Sequence, residues 1–152
     1  MTSTAIDRVE KHARRISNRE HETVKPGQPF RITEASSVGD GCWQGDLGIE
    51  IVASVPRNYV RLQKPKVADR QLVPGSTKGS KHCLDSLRGV QIYRPKDWSE
   101  ESLAGPCLVL TEERTILHPT HGAVTIPAGF TVLCRYQREW DKEQAKERRA
   151  RD

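Results

Sequence analysis

The apolar residues of the C-terminal half come in short alternating runs, each closed by a Pro- or Gly-bearing turn. Val90-Gln91-Ile92-Tyr93 ends at Arg94-Pro95, and Pro106-Cys107-Leu108-Val109-Leu110 follows. Arg114 to Leu117 leads into His118-Pro119-Thr120-His121-Gly122, and Ala123 to Ile126 returns from it. Pro127-Ala128-Gly129 turns again into Phe130 to Gln137, where Phe130, Val132, Cys134 and Tyr136 share one face. A period of two with frequent turn residues specifies strands that bury one face. The expected fold is mainly β, a small antiparallel β-sandwich or barrel.

Upstream, Ile49, Ile51, Ala53 and Val55 alternate up to Pro56, and Phe30 and Ile32 suggest a shorter strand. Lys25-Pro26-Gly27-Gln28-Pro29 breaks any helix. Residues 1–25 then form a separate arm. Within it Ile6, Val9, Ala13 and Ile16 fall at helical spacing behind Thr4 as a candidate N-cap. The stripe is narrow, so a short amphipathic helix there needs a partner to dock on, through Ile6, Val9 and Ile16. Residues 26–137 make the β-domain, with a long basic loop at 57–82. In residues 138–152 eleven of fifteen positions are charged, six basic and five acidic, which suits a solvated helical tail.

The apolar share is 35% and the charged share 30%. No apolar stretch reaches the length of a membrane-spanning helix, so no membrane partner is expected. The first seventeen residues carry charge throughout and lack the apolar region of a secretory signal. A cytoplasmic or virion location is the expectation. Cys42, Cys83, Cys107 and Cys134 form no Cys-x-x-Cys pair and are expected to be reduced core thiols.

Charge is unevenly placed. Residues 57–96 hold ten Lys and Arg against Asp69 and Asp85, a local +8 in a chain of net +5. Such a segment suits an anionic partner, either nucleic acid or an acidic protein surface. The candidate contacts are Arg57, Arg61, Lys64, Lys66, Arg70, Lys78 and Lys81. Only Tyr59 and Tyr93 could stack on bases.

The residues that could carry chemistry are histidines. His82 follows Pro74-Gly75-Ser76-Thr77-Lys78-Gly79-Ser80-Lys81, and His118 and His121 flank a turn. Three imidazoles from two loops could hold a transition metal such as Zn²⁺, either as a bound metal or as a metal-dependent catalytic site. The alternative is that His118 and His121 hydrogen-bond and shape their turn. The Gly75–Ser80 stretch departs from a phosphate-binding loop, because Ser80 follows Gly79 and the glycines are one residue too close. No Gly-x-Ser-x-Gly elbow and no carboxylate pair stands out.

The run from Leu117 to Gly129, followed by Tyr136-Gln137-Arg138-Glu139-Trp140, resembles a small uncharacterised family found in phages and bacteria. Its members carry His-x-x-His-Gly, a Leu-Pro-x-Gly turn and a Gln-Arg-Glu-aromatic close, with a Gly-x-x-x-Gly-His-x-His-type segment upstream. Here Ser80 stands at the first of those upstream histidines and His82 at the second. The resemblance implies a phage or bacterial setting and no particular activity. Together these features describe a non-enzymatic interaction or structural protein. It would dock through its arms on a protein assembly such as a virion, or on copies of itself. A metal-binding protein and a nucleic-acid-binding protein are the alternatives.

Overall fold

In the computed structural model, residues 21–25, 27–141 and 146–150 are described. The strands are β1 (Glu22–Thr23), β2 (Phe30–Arg31), β3 (Gly41–Gln44), β4 (Leu47–Val52), β5 (Tyr59–Arg61), β6 (Cys83–Leu84) and β7 (Val90–Pro95). They continue with β8 (Ala104–Leu110), β9 (Arg114–Leu117), β10 (Val124–Ile126), β11 (Thr131–Tyr136), β12 (Arg138–Asp141) and β13 (Lys146–Arg149). A seven-stranded sheet runs β1-β3-β4-β11-β8-β7-β5, and a four-stranded sheet runs β2-β10-β9-β6. Both sheets have free ends, so neither closes into a barrel. Most pairings are antiparallel, as the hairpin turns require. The exceptions are β1 on β3 and β2 on β10, which are parallel.

The two sheets share one hydrophobic core. Ile49, Ile51, Ile92, Leu108, Leu110 and Val132 come from the large sheet, and Leu84, Ile116, Val124 and Ile126 from the small one. Alternation explains the choice: Val132, Cys134 and Tyr136 are buried while Arg135 between them is exposed. Where β3 meets β4, Trp43 lies opposite Gly48, and a Cβ on that glycine would come within 2.9 Å of the indole.

Two expectations are corrected. The tail is not helical: residues 138–141 pair antiparallel with 146–149, Arg138 opposite Arg149 and Asp141 opposite Lys146. Mixed charges specify no helical face, whereas this hairpin continues β11 and gains an anchor. The Arg149 guanidinium is 7% exposed, donates to the carbonyls of Pro74 and Glu100, and lies 5.1 Å from the Tyr136 ring centroid. The segment 57–82 is likewise no plain loop. It contains β5 and short 3-10 turns at Val67–Arg70 and Lys78–Ser80, and it buries Leu72 and Val73. Tyr136 Oη donates to the Leu72 carbonyl at 2.7 Å, and Arg94 pairs with Asp69. The expected N-terminal helix with Ile6, Val9 and Ile16 lies outside the described residues.

Candidate functional site

The site begins with a tight turn. Gln44 pairs with Leu47, so Gly45 and Asp46 alone connect β3 to β4, and Gly45 takes a φ of +58° that glycine adopts without strain. Gln44 follows Cys42 on the inward face of β3, and Asp46 sits at the turn; both are buried. A polar side chain sent inward must find partners there, since an unmet amide costs more than a made bond gains.

Gln44 finds three. Its amide nitrogen donates to the carbonyls of Ile116 at 3.0 Å and Gly122 at 2.8 Å. Its amide oxygen faces Nδ1 of His82 at 2.8 Å. The opposite ring nitrogen, Nε2, lies 2.9 Å from Oδ1 of Asp46. These bonds fix the protons. Two carbonyls can accept only from an N–H, so the Gln44 amide cannot be turned round. Nδ1 of His82 therefore donates to the Gln44 oxygen, while Nε2 is hydrogen-bonded to the Asp46 carboxyl group. The ring is at 0% exposure.

His118 takes the opposite form. Its Nδ1 accepts from the backbone N–H groups of Thr120 and His121, both at 3.1 Å, and its Nε2 donates to the Gly79 carbonyl at 3.0 Å. A nitrogen that accepts carries no proton, so these bonds place the ring proton on Nε2. The rings crowd together at a tilt: His82 and His118 centroids are 4.3 Å apart, and His118 and His121 4.5 Å apart, while His82 and His121 lie nearly parallel at 6.4 Å.

The three predicted histidines thus converge into one cluster of rings. Both ring nitrogens of His82 and of His118 are committed to hydrogen bonds within the protein. Among the described residues no group of three or more His, Cys, Asp or Glu is arranged to hold a metal ion. The cluster joins three parts of the chain: the β3–β4 turn, the end of the 74–82 segment and the β9–β10 connection. A buried polar network in which each member meets a partner is costly to break at any one of them, so it selects one arrangement. Gln44 and Asp46 were missed in the sequence. The only signal was a polar residue two positions after Cys42 on a buried face.

The predicted basic contacts divide. Arg57, Arg61, Lys64, Lys66, Lys78 and Lys81 are exposed. Arg70 is half-buried and reaches the Asp85 carbonyl at 3.5 Å, and the Lys81 ammonium bonds the Gln71 side chain at 3.2 Å. The cysteines are free. Burial pushes the Cys42 thiol up to about 12, with Glu22 adding to it, and the Cys107 thiol up to about 11. Cys134 is raised further by burial and by Cys107. Among the described residues no helix is long and apolar enough to cross a membrane.

These features define a two-sheet β-domain with an internal polar junction and a basic flank. The chain belongs to the family described as Domain of unknown function (DUF8820), whose model matches residues 43–136. That span runs from the β3–β4 hairpin to the end of β11 and includes Gln44, Asp46 and all three clustered histidines. No curated protein and no solved structure matches the chain.

Proposed function

We propose that the chain is a non-enzymatic interaction module that docks on an acidic surface of a larger assembly, such as a virion. The carrying observation is the state of the basic segment. Arg57, Arg61, Lys64, Lys66 and Lys78 are exposed, and none is in an ion pair among the described residues. Several arginines elsewhere are matched, as Arg135 with Glu50 and Arg88 with Glu112. Unmatched cations on one stretch of chain raise the local concentration of an anionic partner. The histidine junction supports a non-catalytic role. Both ring nitrogens of His82 are engaged by Gln44 and Asp46, and the ring has zero exposure, so it is not open to a substrate. The arm bearing Ile6, Val9 and Ile16 is the module's second contact.

The test is binding of polyglutamate to the full chain across a salt series. Binding that weakens with salt, and is lost in an Arg57→Gln, Lys64→Gln, Lys66→Gln variant of unchanged Tm, supports the reading. Absence of binding overturns it. Retention of duplex DNA with no affinity for polyglutamate would assign the same segment to nucleic acid instead.

A further inference from the structure

The end of the large sheet at β5 has a particular backbone geometry. In an antiparallel pair, alternate residues point their N–H and C=O groups at the partner, and those between point them away. On β5 the residues turned toward β7 are Asn58, Val60 and Leu62: Lys96 N–H donates to the Asn58 carbonyl and Leu62 N–H to the Ile92 carbonyl, each at 2.8 Å. Val60 lies opposite Arg94 between them. Arg61 consequently turns both its N–H and its C=O outward, and Tyr59 its C=O. Among the described residues no strand covers that side.

An open strand edge is a template for another extended chain. Here it is bordered by the unmatched cations Arg57, Arg61, Lys64 and Lys66, and Val60 beside them is half exposed. A second copy of this chain would bring the same positive charges against them. A nucleic acid has no peptide groups to continue the ladder, and the nearby aromatic hydroxyls are already committed. Tyr59 Oη donates to the Gly105 carbonyl and Tyr93 Oη to Gln91.

We infer that β5 is a strand-addition site that receives an extended, acidic segment of a partner protein. Main-chain bonds to Tyr59 and Arg61 would provide the ladder, and the flanking Arg and Lys would select acidic side chains. The inference rests on the acidic-partner reading above and adds how that partner is held.

The probe is a short capped peptide of alternating Glu and Thr, presented to the full chain. A second peptide has the same sequence with alternate amides N-methylated, which keeps its charge and removes its ladder donors. The expected result is that the first peptide binds and slows exchange of the Arg61 amide by roughly tenfold or more. The methylated peptide should bind at least about tenfold more weakly. Arg61→Pro should abolish the gain, because that N–H serves nothing within the sheet. Arg61→Gln should weaken binding and keep the protection; unchanged exchange of the β7 amides in both variants establishes that the sheet is intact. Equal binding of the two peptides with no protection at Arg61 overturns strand addition and leaves the acidic-partner reading standing. No binding of either peptide, or of polyglutamate, overturns both.

Discussion

Gln44 presents its amide oxygen to Nδ1 of His82 at 2.8 Å because two backbone carbonyls hold its amide nitrogen. The ring proton is dictated from beyond the ring. The expected signature is a ¹⁵N-detected imidazole spectrum in which Nδ1 of His82 carries a proton while His118 shows a proton on Nε2 alone. A His82 tautomer protonated on Nε2 alone would refute the bond to Gln44.

Removing one member leaves the others stranded. Asp46→Asn and His82→Ala should each destabilise by about 1–3 kcal/mol or more, the cost of leaving buried polar partners unmet. Gln44→Leu leaves the Nδ1 proton and two carbonyls unmet and should cost about 1–3 kcal/mol or more. Denaturant melts with unchanged m-values are the check. A near-neutral Asp46→Asn would show the junction to be dispensable.

Gly122 admits no side chain. A Cβ there would stand 2.0 Å from the Gln28 carbonyl oxygen and 2.7 Å from Val24 Cγ1. Since the Gly122 carbonyl also receives the Gln44 amide, Gly122→Ala should displace the 24–28 segment and disturb the junction together. The expected loss is about 1–3 kcal/mol, with faster amide exchange at both Phe30 and the β3–β4 turn.

The thiols set an alkaline limit. Cys42 and Cys107 have an ordinary value of 9.0 and are raised by burial to about 12 and about 11. Above pH 9 the unfolded chain releases these protons and the folded chain keeps them. Stability is therefore full below about pH 9 and declines as pH rises toward about 11–12. Cys42→Ala with Cys107→Ala should flatten that decline while lowering stability at pH 7. In the native protein a thiol reagent at pH 8 should modify Cys83, the half-buried one, well before Cys42, Cys107 and Cys134.

The C-terminal hairpin hangs on Arg149. Arg149→Met keeps some length and loses the bonds to Pro74 and Glu100. Amide exchange in β12 and β13 should accelerate while the Tm of the two-sheet body moves little. A large fall in Tm would show that the hairpin is integral to the core.

The strands between Val90 and Tyr136 were legible because each buries one face, and burial imposes a period of two on residues such as Val132, Cys134 and Tyr136. β5 was not, because Tyr59, Val60 and Arg61 are an edge, where nothing forces alternation. The sequence does not distinguish a helical tail from a hairpin, because charge alternation fits a solvated hairpin as well as a solvated helix. What decides is Arg149 meeting Tyr136, a contact between distant positions. The convergence of His82 with His118 and His121 was an open possibility in the spacing. Their protonation was not visible, since it depends on Gln44, a residue whose type gives no hint of its role.

The parallel pairing of Phe30 with Val124 also bears on how the molecule assembles. β2 leaves the ribosome early, yet its neighbour is among the last strands to emerge, and β1 next to it belongs to the other sheet. The hairpins β3–β4, β7–β8 and β9–β10 close locally and can form first. β1 can join β3 as soon as its hairpin has closed, but β2 must wait, unpaired, for β10. β2 acts as a buckle, fastened last and opened first, and its release would loosen the β10 edge of the small sheet.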